Sequence, residues 1–234
     1  MAILDQIPFQ PNVETLCRRL RIASGNDLEA DLLRLVAEAT AIARPKVDYM
    51  VAGIDDKSAA DQVVIQGIPL TSRVLRVNLE QARRVFIYVA TCGTELEAWA
   101  ASKTDMLERY WADEINELAL HTALAALDKH LTEMYQPGPT SDMNPGSLAD
   151  WPLTEQRAVF TLLGDPAATI GVRLTDSYLM LPVKSVSGLR FPTEQSFESC
   201  QLCPIENCPA RRAPYSQDLF AAKYEPQASN NTTD

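Results

Sequence analysis

Arg84–Thr91 reads RVFIYVAT, a continuous apolar run rich in β-branched and aromatic residues. A run of this texture predicts a strand covered on both faces. Gly93 ends it, and Thr94 opens a helix. Upstream, residues 13–23 and 27–43 read as helices. In the second, Leu28, Leu32, Leu35, Val36 and Ala39 recur at steps of three and four, Asn26 or Asp27 can cap the start, and Pro45 stops it. Val47–Ile54 and Gln62–Ile68 read as short strands separated by a polar, acidic turn. Downstream, the longest helix is expected at 105–134. Leu107, Trp111, Ile115 and Leu118 form one stripe there, continued by Leu120, Leu124, Leu127, Leu131 and Met134. So broad an apolar set predicts a central helix covered on more than one side.

Residues 136–152, QPGPTSDMNPGSLADWP, carry four prolines and two glycines, a texture in which no regular element is expected to survive. The interspersed Met, Leu and Trp predict an ordered loop. Leu153–Leu163 reads as a short amphipathic helix ended by Gly164, and Arg173–Val183 and Ser185–Phe191 as two strands joined near Pro182. Helices and strands are mixed without regular alternation, so the class is α+β rather than a doubly wound sheet. The final ten residues, EPQASNNTTD, are expected to be mobile.

The 234 residues hold 31 acids against 21 bases, a formal charge of −10. That balance argues against non-specific binding to nucleic acid or to anionic lipid. No uncharged apolar stretch reaches the length of a membrane span. The N-terminus, MAILDQIPFQPNVETLC, has an early acid and no basic flank, which argues against a secretory signal. A cytoplasmic location follows as the expectation, and a homodimer is one allowed state. The five cysteines then read as reduced thiols or metal ligands rather than as a disulfide framework.

Cys200, Cys203 and Cys208 form C-x2-C-x4-C within CQLCPIENCPARR. Two thiolates separated by two residues can converge on one metal while a turn offers its N–H groups to the sulfurs. Pro204 and Pro209 stiffen the turns, and Arg211 and Arg212 can offset cluster charge. Cys92, at the end of the 84–91 strand, is the candidate fourth ligand, against its reading as a buried small hydrophobe. Cys17, inside an early helix, fits less well. Zinc and a 4Fe-4S cluster both accept such donors. The single CxxC and the Cys-Pro pairs favour iron–sulfur, with zinc as the alternative.

Elsewhere, Asn144-Pro145-Gly146-Ser147 has a turn signature whose exposed N–H groups can hold a carboxylate or another polar ligand. Lys184, Ser185 and Ser187 place one cation and two hydroxyls at a strand junction. The only histidines, His121 and His130, read as helix-surface or core-edge side chains. No Ser-His-Asp set, GxGxxG or P-loop is present, which argues against nucleotide-dependent phosphoryl chemistry.

LTDSYLMLPVKSVSG (174–188) closely resembles a block of the activation (reactivation) domain family of cobalamin-dependent methionine synthase. NPGSLADWPLTEQRAVFTLLG (144–164) is similar to that family's Pro-Gly loop and following helix. TCGTELE and DMLERYWADEINELALHTALAALDKHL fit its order of elements, so the resemblance runs over roughly 46–192. It implies a mixed, curved β-sheet flanked by helices, with a helical segment at 1–45, the activation-like domain at 46–198 and a cysteine-rich metal-binding tail at 199–234. It also implies a site for S-adenosylmethionine and docking on a corrinoid protein or methyltransferase during reductive methylation of inactive cobalamin. Pro145, Gly146 and Ser147, with Lys184, Ser185 and Ser187, are then the cofactor-facing residues. The family's loop reads Arg-x-x-Pro-Gly-Tyr; here Asp142 stands at the arginine and Ser147 at the tyrosine, which argues against adenosylmethionine in its usual pose. The cysteine tail is an addition to the family pattern. The function expected is support of corrinoid-dependent methyl transfer or reductive activation by a stand-alone protein carrying an iron–sulfur cluster. The alternative is a non-enzymatic adaptor of a methyltransferase complex with a structural zinc site.

Overall fold

The computed structural model describes residues 1–23, 25–194, 197–208 and 211–225. In chain order the elements are β1 (Ala2–Leu4), α1 (Val13–Leu20), α2 (Asp27–Ile42), β2 (Lys46–Gly53), β3 (Gln62–Ile65), β4 (Ile68–Thr71), α3 (Arg73–Asn78) and β5 (Arg84–Thr91). They continue as α4 (Thr94–Ala101), α5 (Met106–Tyr135), β6 (Thr140–Met143), α6 (Gln156–Leu163), α7 (Pro166–Ile170), β7 (Arg173–Leu174), β8 (Met180–Leu181), β9 (Ser185–Pro192) and α8 (Leu219–Lys223). A five-stranded sheet has the order β1-β2-β5-β9-β6, and β3-β4 and β7-β8 are separate two-stranded ribbons. Every strand pair whose register is defined here is antiparallel, which confirms the α+β class over a doubly wound one.

The chain forms two compact units. One comprises Met1–Met50, Tyr88–Gln136 and Leu163–Ser187; the other comprises Val51–Ile87, Pro137–Leu162 and the chain from Gly188 onward. In the first, α1, α2, α4 and α5 enclose an apolar cluster that includes Leu16, Leu32, Leu35, Leu96, Trp111 and Ile115. The caps fall where the sequence puts them. Asn26 accepts from Leu28 N–H at 3.0 Å, and Asp105 accepts from Leu107 and Glu108 N–H at 2.9 and 3.0 Å. The expected stripe on α5 is largely buried, but its ends are not: Leu107 and Met134 are exposed, while Asn116 is buried. His130 is a core-edge residue, its Nε2 lying 2.8 Å from Tyr49 Oη.

In the second unit, the β3-β4 hairpin turns through Gln66 and Gly67, both at positive φ (49° and 75°). The single strand expected over 62–68 is therefore two, because Gly67 supplies the backbone conformation of a tight turn. Ser72 caps α3, and Lys57 Nζ closes its far end on the carbonyls of Leu79, Glu80 and Ala82 at 3.1, 2.7 and 3.0 Å. The Pro-Gly stretch is not wholly irregular: β6 lies inside it, Thr140–Met143 pairing with Pro192–Leu189 of β9. The strand expected over 173–183 is instead the small β7-β8 ribbon. Tyr224, following α8, is fully buried and donates to Asn78 Oδ1 at 2.9 Å. Apart from Glu225, the tail expected to be mobile lies outside the described residues. No described helix is long and apolar enough to cross a membrane.

Candidate functional site

The Pro-Gly loop of the second unit is tied to itself. Gly146 N–H donates to Trp151 O at 2.8 Å, Ser147 N–H to Asn144 O at 3.1 Å and Trp151 N–H to Leu148 O at 3.1 Å. The turn's N–H groups, expected to face a ligand, are thus spent on the loop's own carbonyls. Gly146 has φ +87°, and a Cβ there would lie 2.8 Å from Leu153 Cδ1, so both its conformation and its space favour glycine. Asp150 fastens the loop to α3, accepting from the Ser72 hydroxyl and from Val74 N–H at 2.9 Å. Glu155 accepts from Thr71 N–H at 3.0 Å. Trp151 is fully buried beneath this arrangement.

Asp142 and Arg190 face each other across the β6–β9 pair. The guanidinium reaches the carboxylate in a fork, Nε at 3.0 Å from Oδ1 and Nη2 at 2.9 Å from Oδ2. The Arg190 side chain is 10% exposed and that of Asp142 19%. Arg190 went unnoticed in the sequence. Its signal is a cation set between Leu189 and Phe191 in an apolar strand, where a buried charge needs a partner.

In the first unit, Cys92, Lys184 and Ser185 come together. Cys92 N–H donates to Lys184 O at 3.0 Å, and the Ser185 hydroxyl lies 2.9 Å from Thr91 Oγ1. The Lys184 ammonium sits 2.9 Å from both Asp113 and Glu117. Burial alone would lower it, but the two carboxylates outweigh that and raise it above the ordinary lysine value. Lys184 is therefore a neutralised cation. Ser187 is buried on β9. Cys92 belongs to the apolar cluster, and burial, with Glu97 adding to it, pushes its thiol up to about 12. A thiolate is strongly disfavoured there without a metal.

The described residues of the cysteine tail are 199–208 and 211–225. Ser199–Gln201 form a 3-10 turn, with Glu198 and Gln201 in a reciprocal capping box. The Arg211 guanidinium donates to the carbonyls of Cys200 at 3.0 Å, Cys203 at 2.9 Å, Ala213 at 3.0 Å and also Ile205. Arg212 N–H points at Cys200 Sγ at 3.4 Å, and its side chain pairs with Glu198 at 3.1 Å. Cys200, Cys203 and Cys208 are partly exposed free thiols. Among the described residues, no three His, Cys, Asp or Glu side chains are gathered as a metal site.

Residues 143–201 match the family model of the vitamin B12-dependent methionine synthase activation domain. The structure superposes on a crystal structure of the MetH reactivation domain bound to AdoHcy, with a TM-score of 0.58 and 15% identity, over 85% of this chain and 81% of that one. The chain has the activation-domain fold. The resemblance carried by 144–164 and 174–188 is thereby borne out, and the matched stretch includes the Pro-Gly loop, β9 and the first tail cysteine. Among curated protein sequences none matches.

Proposed function

We propose that this chain is an activation-type module that docks on a corrinoid protein and supports its reductive reactivation. The observation carrying this reading is the family match across 143–201 on a fold shared with the reactivation domain. Gel filtration of the chain with a cob(II)alamin-loaded corrinoid protein tests it. Co-elution at micromolar concentration is the expected result; separate elution at tens of micromolar overturns it. S-adenosylmethionine, the ligand the fold family suggests, fits poorly at the Pro-Gly loop. The loop's N–H groups are used internally and Arg190 already holds Asp142. No step is therefore assigned to it at this loop.

The tail is the second part of the reading. Cys200, Cys203 and Cys208 are proposed as ligands of an iron–sulfur cluster, with zinc as the alternative. The donor set suits either metal, and the Arg212 N–H aimed at Cys200 Sγ is the kind of contact that stabilises a bound thiolate. The apolar setting of Cys92 supports a packing role, leaving the fourth position to another ligand. A cluster would supply a one-electron carrier. Metal and sulfide analysis of anaerobically isolated protein, with Cys203→Ser as control, decides it. Iron and sulfide lost in the variant support the cluster. One equivalent of zinc supports the adaptor reading, which the Asp142–Arg190 pair independently favours. Metal-free protein removes both.

A further inference from the structure

A cavity of about 590 Å³ lies within the first unit. One wall is the chain from Ile3 to Pro8, which is β1 and the residues that follow it; the other is a face of α5. That face carries Ala125 and Ala126, whose methyl groups are too short to fill the space, whereas the buried stripe of the same helix carries Leu127 and Leu131. The volume falls within the range of small-molecule sites, about 300–1,000 Å³. Of the charged residues in the lining, Lys129 and Glu133 lie 3.9 Å apart with side chains 77% and 62% exposed, so they offset each other in solvent. Asp5 is exposed and, among the described residues, meets only the Gln6 amide at 3.5 Å. One carboxylate is thus in excess among the three, which disfavours an anion.

The half-buried His130 supplies the polar group of this wall. Its Nε2 lies 2.8 Å from Oη of the fully buried Tyr49, and Tyr135 Oη lies 3.5 Å from that same oxygen. Burial, with the Tyr135 contact adding, raises the Tyr49 phenol above its ordinary value, so it keeps its proton. An imidazole nitrogen accepts more strongly than a phenol oxygen, which assigns the Tyr49 proton to Nε2 and the ring's own proton to Nδ1. Among the described residues Nδ1 has no hydrogen-bond partner. Thr122, also in the wall, spends its hydroxyl proton on Leu118 O at 2.9 Å. We infer that this cavity binds an uncharged, largely apolar small molecule with a hydrogen-bond acceptor, which His130 meets through Nδ1–H. The site owes nothing to the corrinoid partner or to the cysteine tail, and its failure would leave that reading untouched.

Nile red, an uncharged flat dye bearing a carbonyl, is the probe. Its fluorescence, titrated with the full chain, should saturate at a single site with micromolar affinity. Ala126→Trp fills the cavity and should weaken the dye by about tenfold or more, with thermal melting unchanged. Should Ala126→Trp fail to fold, Ala125→Phe, at an exposed position, gives the same readout. His130→Phe should weaken Nile red about fivefold and leave diphenylhexatriene, an uncharged hydrocarbon without an acceptor, unaffected. In the unaltered chain, the Nδ1–H resonance of His130 should shift with Nile red and stay in place with the hydrocarbon. Absence of saturable Nile red binding, or binding that the cavity-filling variant leaves unchanged, overturns the site. Equal losses of both dyes in His130→Phe overturn the role of the imidazole. Anilinonaphthalene sulfonate, an anion, bound as tightly as Nile red and likewise lost on filling the cavity, overturns the ligand class. So does a concentration-dependent dimer that shuts the dye out, which makes a second copy of the chain the occupant.

Discussion

Asp48 shows how a single buried acid sets a pH dependence. It lies on β2 opposite Ile3 of β1, fully buried, with Oδ1 lacking a hydrogen-bond partner and Oδ2 against the Thr169 hydroxyl. The carbonyl of Asp165 lies 3.2 Å from that same hydroxyl. A hydroxyl has one proton, so it serves both contacts only if the carboxyl supplies the other. Burial raises the Asp48 carboxyl above its ordinary value, the Thr169 contact and the α-amino group opposing. The folded chain therefore holds this proton to higher pH than the unfolded chain does. The resulting stability is complete below the ordinary carboxylate value and is lost as pH rises through the folded one. Thermal melting between about pH 4 and about pH 8 should show the native protein losing stability relative to Asp48→Asn as pH rises. Parallel curves would mean that Asp48 is ionised throughout. Gly146→Ala belongs to the same scale. Its φ of +87° costs a Cβ-bearing residue about 1–2 kcal/mol, and urea unfolding should register that loss.

At the scale of elements, α3 and the Pro-Gly loop depend on one carboxylate. Asp150 accepts both the Ser72 hydroxyl and Val74 N–H, so it caps a helix from a loop far away in sequence. Asp150→Ala should cost about 1–2 kcal/mol, read as an earlier urea midpoint with unchanged slope. A matching loss of protection at Val74 N–H in hydrogen exchange would locate the effect. The elements legible from sequence are those whose own pattern suffices. RVFIYVAT is apolar from Val85 to Ala90 and is buried after its first residue, and α5 is thirty residues of uninterrupted helix with a side-chain cap at its start. The elements missed take their identity from a partner. β6 has two prolines shortly before it and one shortly after, and it is a strand because β9 supplies the facing ladder. β1 has three residues and exists by pairing with β2. The 62–68 segment reads as one strand because the turn that divides it is only two residues, Gln66 and Gly67, inside an otherwise apolar stretch.

Across the whole molecule, the family block and the cysteine spacing were legible, since both are carried by residue types at fixed intervals. The Asp142–Arg190 fork and the Arg211 clamp were not, because each joins residues whose meeting depends on the folded backbone. The C-terminal region is bound into its unit by Tyr224. Burial, with the Asp150 charge adding, pushes that phenol up to about 12 against the Asn78 contact, and the ring packs edge-on to Phe197 at 6.1 Å between centroids. Tyr224→Ala should lower stability by about 3–5 kcal/mol and Tyr224→Phe by about 1 kcal/mol, measured by denaturant unfolding. Equal, negligible losses would show that the region after 218 is not docked in solution.

The cysteine arc is pinned before it begins, where Phe197 N–H meets Ser141 Oγ at 2.7 Å, and again after it ends, where Tyr224 enters the core. Its described residues are held at both ends rather than at one. Much of the entropy of closing that span is already spent in the folded chain. Among the described residues, Cys200 and Cys203 thus lie between two points held in their own unit, so ordering their backbone costs less than it would in a chain anchored at one end only.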